Sequence, residues 1–157
     1  QTCALPIYSI IGIIAIIVVV ITFYNYVRYD HNKYVDINDL VNKAYTSSKG
    51  YDSDIAKHMS KDAYNKSNTY SAYKDFECKK PIKLSLRLTE INQHKINGKV
   101  YVYMKYDFDV FDANGKSVSG SRDIPVVFTV TETNKNLYIE NVQEYGDGID
   151  PVPKIYR

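Results

Sequence analysis

The stretch PIKLSLRLTEINQHKINGKVYVYMKYDFDVF, residues 81–111, decides the fold. Ile82, Leu84, Leu86 and Leu88 alternate with Lys83, Ser85, Arg87 and Thr89, a period of two that puts the apolar side chains on one face of a strand and leaves the other face wet. Asn97-Gly98 marks a reversal. Val100, Val102, Met104, Tyr106, Phe108 and Val110 then line one face of a long second strand. Asn114-Gly115 makes the next turn, of the kind that closes hairpins because both residues tolerate positive φ. A third strand is expected from about Lys116 to Thr131 with Ile124, Val126, Phe128 and Val130 inward; Gly120 and Pro125 predict a bulge or an exposed edge there. Thr133 to Asn136 turns into a fourth strand, Leu137 to Tyr145.

Before Pro81 the period is 3.6. Ile37, Leu40, Val41, Ala44 and Tyr45 form one apolar stripe behind Asp36 as N-cap, and Ser47-Ser48-Lys49-Gly50 stops that helix. A second helical stretch from about Ser53 carries Ile55, Ala56 and Met59. Ser60 caps a further turn with Ala63 and Tyr64, and a short third piece presents Tyr70, Tyr73 and Phe76. Helices followed by an antiparallel four-stranded meander predict an α+β domain of two layers, the curved sheet wrapped over the helices and its even-numbered face forming the shared core.

Outward from the domain, the chain changes material. Of its 157 residues, 20 are Lys or Arg and 18 are Asp or Glu, yet none of these precedes Arg28. Ile10 to Ile21 is unbroken apolar sequence, and residues 8–27 are long enough as a helix to span a ~30 Å hydrocarbon core. Phe23, Tyr24, Tyr26 and Tyr29 at one end and Tyr8 at the other match rings at a lipid–water interface. A cleaved signal peptide would need small residues after the apolar run, where Thr22-Phe23-Tyr24-Asn25-Tyr26 is bulky; a lipoprotein signal would place a Cys after the run, whereas Cys3 precedes it. The expected organisation is therefore a transmembrane helix over 8–27, a juxtamembrane linker over 28–35, the α+β domain over 36–148 and a tail over 149–157. Gln1-Thr2-Cys3-Ala4-Leu5-Pro6-Ile7 resembles the translation of a sequencing-library adapter, so residues 1–7 are expected to be non-native. Arg28 and Lys33 alone would place the domain in the cytoplasm by the positive-inside rule, which compares both flanks, and the flank before the apolar run consists of residues expected to be non-native. An extracytoplasmic domain on a single-pass cell-membrane anchor is the expected arrangement, with a domain tethered to the inner leaflet as the alternative.

Net charge of +2 with no clustered basic face gives no reason to expect a nucleic-acid partner. His31, His58 and His94 have no ligand at metal spacing, so no metal and no cofactor is expected. Cys78 has no histidine beside it and reads as inert. Gly146-Asp147-Gly148-Ile149-Asp150 lacks the alternating oxygens and distal Glu of a calcium loop and reads as a turn. Phosphate-loop, nucleophile-elbow and zincin motifs do not occur in the chain.

The odd-numbered face of the sheet carries the candidate binding residues. Tyr101, Tyr103 and Phe111 on the second strand and Tyr138 on the fourth stand among Lys83, Arg87, Lys105, Asp107 and Asp109. Rigid aromatics supply contact area at low entropic cost, which fits a protein partner, self-association or a glycan. The alternative is that Tyr is simply favoured in strands and abundant here, with 16 in the chain.

The capped helix at Asp36, the Ser60-Lys61-Asp62-Ala63-Tyr64 element, the long bent strands and the last strand Asn136-Leu137-Tyr138-Ile139-Glu140-Asn141-Val142 together resemble the NTF2-like or cystatin-like α+β superfamily over residues 36–146. That resemblance implies helices packed on a four-stranded antiparallel curved sheet. Anchored bacterial proteins with one such domain include scaffold subunits of conjugation and secretion machines, and the Asn, Lys, Ile and Tyr bias looks like that of a low-GC Gram-positive organism. The expectation is a non-enzymatic interaction or scaffold domain of the cell envelope. The alternative, implied by ketosteroid isomerases of similar fold, is a small-ligand binder or enzyme using the cone between helices and sheet. Asp107 and Asp109, the tempting carboxylates, fall on the odd face and are expected to point away from that cone.

Overall fold

The computed structural model describes residues 7–31, 33–133, 136–146 and 151–157, with side chains of the N-terminal helix described over 11–24. Expectations placed on residues 1–6, on the side chains of 7–10 and 25–31, on 134–135 and on 147–150 lie outside the described residues. Two compact units form, Gln1–Lys33 and Tyr34–Arg157.

The first unit holds helix α1, Ile7–His31, so residues 28–31 of the expected linker are helical. Its described side chains are apolar all round except for Gly12 and Thr22, and those from Ile11 to Tyr24 are exposed. Among the described residues no helix is long and apolar enough to cross a membrane. Residues 11–24 correspond to about 21 Å of helix, and the expected span over 8–27 reaches past both ends of them.

The second unit is α+β. Helices α2 (Asn38–Thr46), α3 (Ser53–Ala56), α4 (Lys61–Ser67) and α5 (Thr69–Tyr73) precede strands β1 (Lys83–Ile96), β2 (Lys99–Phe111), β3 (Ser117–Thr133) and β4 (Asn136–Glu144). All neighbours are antiparallel, in the order β1-β2-β3-β4. The positive φ of Asn97, Gly98 and Gly115 falls at the two turns where Asn-Gly pairs stand.

The even face of β2 is the centre of the core, with Val100, Val102, Met104, Tyr106, Phe108 and Val110 buried. Val126, Phe128 and Val130 of β3 and Ile139 and Val142 of β4 continue it, against Val41, Tyr45, Ile55, Met59 and Ala63 from the helical layer. A bulge between Glu90 and Asn92 shifts the phase of β1, turning Gln93 inward. Its amide donates to Val35 O at 2.7 Å and accepts from the backbone N–H groups of Tyr34 and Val35 at 2.8 and 3.0 Å, which fixes where the chain enters the domain.

Three local expectations shift. Helix α2 starts at Asn38 with Ile37 in the cap position, because Ile37 is itself core, 1% exposed. Asp36 still takes an orphan amide, accepting from Asn38 N at 3.1 Å. Met59 lies beyond α3, in a parallel bridge to Ile139, where Ser60 N–H donates to Ile139 O at 2.9 Å and Ile139 N–H to His58 O at 2.8 Å. The irregularity expected near Gly120 and Pro125 is a bulge: Tyr106 pairs with Ile124 and Phe108 with Ser121, leaving Arg122 and Asp123 opposite Asp107, with Asp123 at φ 54°. Around Gly120 it is an edge as well: β4 pairs only with Val126–Thr133, so Ser117–Ile124 have β2 on one side and no strand on the other among the described residues.

Candidate functional site

Two surfaces gather chemistry. The first is the odd face of the sheet. Asp107 and Asp109 lie there, as the alternation of β2 requires, and both are engaged. Arg122 Nη2 donates to Asp109 Oδ1 at 2.6 Å and Nη1 to Phe108 O at 2.8 Å; the Asp109 hydrogen bond raises the guanidinium pKa. Asp107 Oδ1 accepts from the Asp123 N–H at 2.8 Å, with Arg87 at 4.0 Å. This is a charged lattice that closes the bulge, with its carboxylates held by cations and amides in place of a substrate proton.

The same face carries the aromatic candidates, and the tail rearranges them. Residues Lys154–Tyr156 make a short 3-10 turn in which Tyr156 stacks on Tyr101, ring centroids 4.8 Å apart and planes at 22°. Val152 is buried with Val127 and Tyr145, and Tyr101, Tyr103 and Tyr156 pack around them. Arg157 Nε donates to Val152 O at 2.8 Å and curls the end of the chain back on itself. Tyr101, Val127, Tyr145, Pro153 and Tyr156 contribute to an open groove of about 410 Å³ beside the tail. Tyr101 and Tyr103 thus belong to one cluster. Phe111 pairs with Lys83 and Ser117 at the far end of β2, and Tyr138 of β4 pairs with Thr131 of β3; neither belongs to that cluster. Phe111 is eight residues from Tyr103, about 27 Å along the strand. Sequence reasoning missed the tail because its apolar residues are few and have no period. The one signal was Val127, an apolar residue on the odd side of β3 that needed a cover.

The second surface is on the even side. There the core between helices and sheet is filled: Tyr45, Met59, Met104 and Phe128 are each 1% exposed or less. What remains open is a groove of about 360 Å³ between α4–α5 and the sheet, reached by Tyr106 and Phe108 of β2, Ser121 and Ile124 of β3 and the end of β4. Tyr73, Tyr106, Phe108 and Ile124 wall it, and Glu144 and Lys66 stand at it. Tyr73 and Phe108 are 5.7 Å apart between centroids, and Phe108 and Tyr106 6.2 Å. Tyr106 Oη donates to Glu144 Oε1 at 2.6 Å. Burial first, then that hydrogen bond to a carboxylate, push the Tyr106 phenol far above its ordinary value, so it stays a donor. The edge of Tyr45 meets the Tyr106 ring at 5.1 Å, and burial pushes the Tyr45 phenol well up too.

Asn68 positions the helical side of this groove. Its amide donates to Ala44 O at 2.7 Å and Ser47 O at 3.0 Å and accepts from Ser71 N at 2.7 Å, tying the end of α2 to the start of α5. Neither Glu144 nor Asn68 was singled out from sequence. Glu144 is in phase with Val142 on β4, and a carboxylate in phase with core residues was the available signal.

His58 Nδ1 lies 3.1 Å from Leu137 O and His94 Nε2 3.1 Å from Asn92 Nδ2, so both rings serve local structure. Among the described residues no three His, Cys, Asp or Glu side chains are grouped to hold a metal. No family model, curated protein or solved structure matches the chain.

Proposed function

We propose that this is a single-pass membrane-anchored protein whose α+β domain, NTF2-like in architecture, stands outside the membrane and works by binding, as an interaction or scaffold unit of a Gram-positive cell envelope within a secretion or conjugation apparatus. The observation that carries the anchor is α1: its described side chains are apolar on every side and exposed, without one charge before Arg28. A helix apolar all round needs an apolar surrounding, which a bilayer supplies. Binding is preferred over catalysis because the centre of the cone between helices and sheet is filled by Met104, Phe128 and Tyr45, leaving among the described residues only the groove at its end, and because Asp107 and Asp109 are held in the charged lattice of the opposite face.

The partner surface on this reading is the odd face with the tail as part of it, centred on Tyr101, Tyr103 and Tyr156. A self-association or envelope-protein contact there uses aromatic area that is already ordered, so little side-chain entropy is lost on docking.

Alkaline carbonate extraction of expressing cells tests the anchor: the protein is expected in the membrane pellet, and release into the supernatant would refute it. Protease added to intact cells is expected to remove the domain; its survival would place it inside. Replacing Tyr101 and Tyr103 together by Ser should weaken self-association or cross-linking to a neighbour while the far-ultraviolet spectrum stays the same. Undiminished association would remove the face from consideration.

A further inference from the structure

The end groove on the even side has a composition that the interaction reading does not use, and it stands independently of that reading. Three aromatic rings pack along it in the order Tyr73, Phe108, Tyr106, with centroids 5.7 and 6.2 Å apart; Tyr73 is half-buried, while Phe108 and Tyr106 show only their rims, at 8% and 5% exposure. Aromatic faces carry negative charge density and attract cations. Beside them the Glu144 carboxylate is half-buried and takes one side-chain hydrogen bond, from Tyr106; among the described residues it makes no ion pair. Among the described residues the one basic side chain lining the groove is Lys66, and it is compensated, with Nζ 2.7 Å from Asp62 and 3.3 Å from Asn141 Oδ1. The volume of about 360 Å³ is within the range of small-molecule sites.

We propose that this groove is a binding site for a small organic ammonium ion, the cationic head lying against Tyr73, Tyr106 and Phe108 with Glu144 as its counter-charge. The Tyr106 hydroxyl orients the carboxylate by donating to Oε1 and leaves Oε2 for the ligand. A neutral ligand of the same shape gains the apolar contact but leaves the carboxylate without a counter-charge. An anion is repelled. The site therefore selects by charge, with shape secondary.

The test is titration calorimetry on the full chain in maltoside micelles, which carry no ammonium group, using choline against its uncharged carbon isostere 3,3-dimethylbutan-1-ol. Choline is expected to bind in the millimolar range and the isostere about tenfold more weakly. Glu144→Gln, which keeps an acceptor for Tyr106, should weaken choline about fivefold or more and leave the isostere unchanged. Tyr73→Leu, at a half-buried position on the last turn of α5, should weaken choline by a comparable factor. Equal binding of choline and the isostere to the unmodified protein would overturn the proposal whatever the variants do, as would absence of choline binding through the millimolar range or Glu144→Gln without effect. Phosphatidylcholine added to the micelles distinguishes the source: loss of the choline heat assigns a lipid headgroup, and its retention a free ammonium compound, each consistent with the site.

Discussion

Tyr45 and Tyr106 lie ring to ring, yet removing the same oxygen from each should move stability in opposite directions. Tyr45 is 1% exposed and its phenol oxygen has no hydrogen-bond partner among the described residues. An unsatisfied buried polar group costs about 1–3 kcal/mol. Tyr45→Phe keeps the ring that meets Tyr106 and Phe128 and deletes only the stranded hydroxyl, so it should stabilise by about 1–2 kcal/mol. For a unit of ~120 residues, with an unfolding entropy of about 2.1 cal/mol/K per residue, that is about 4–8 °C in Tm. Tyr106→Phe instead deletes the donor of the 2.6 Å bond to Glu144. A hydrogen bond to a charged group contributes about 1.5–3 kcal/mol; Glu144 is half-buried and can recover part of this from water in the groove, so the loss should be about 1–2 kcal/mol. The two rings are in contact at 5.1 Å, so the double variant completes a cycle: simple addition would bring it near wild type, and a departure of about 0.5–3 kcal/mol measures the coupling between the two hydroxyls. Urea unfolding of the full chain in maltoside, followed by the near-ultraviolet tyrosine signal, reads all three midpoints. The slope should stay constant, since the surface exposed on unfolding is unchanged. A lower midpoint for Tyr45→Phe would show that its hydroxyl is bonded after all, and an unchanged midpoint for Tyr106→Phe would show that the bond to Glu144 contributes nothing.

Because the folded pKa values of both phenols lie above the ordinary 10.0, ionising them is harder in the folded state than in the unfolded chain, so they add no pH dependence to stability below about pH 10 and lower it as pH rises further. Each contributes a slope of about 1.4 kcal/mol per pH unit there, so urea midpoints taken from pH 9 upward should fall less steeply for Tyr45→Phe than for wild type. Asn68→Ala removes three hydrogen bonds from a residue that is 6% exposed and should destabilise by about 2–4 kcal/mol, with amide exchange in α5 accelerated before that in β2. Gly120→Ala places a Cβ 2.7 Å from Phe108 O and 3.0 Å from Asp109 Oδ1; the backbone has to shift, at about 1–3 kcal/mol in the urea midpoint. A neutral midpoint there would mean that the bulge at Arg122 and Asp123 yields freely.

Strand alternation made the sheet legible from residue types alone. In β2 every even position from Val100 to Val110 is buried, as the period of two requires, and the Asn-Gly pairs fall at the turns. The helical layer was legible where an apolar stripe was long enough, as at Ile37, Val41, Ala44 and Tyr45, and less so in the short pieces. There Met59 left the helix to pair with Ile139, a residue far along the chain whose strand offered free backbone groups. The candidate sites were least legible. Gln93 turned inward only because a bulge shifted the phase of β1, and the Tyr106–Glu144 bond joins residues on strands that are not neighbours, reaching across β3.

The sequence by itself determined the apolar, charge-free N-terminal helix, the antiparallel meander and the face taken by each residue of β2 from Val100 to Val110, because these follow from spacing between near neighbours and from local backbone preference. Only the tertiary structure decided that the tail stacks Tyr156 on Tyr101, that the interior closes over Met104 and Phe128, and that Glu144 meets Tyr106 beside three rings. Those outcomes depend on register, bulges and the course of a segment without periodicity. Each is set by which distant surfaces are left uncovered once the sheet has formed, and no local pattern encodes that.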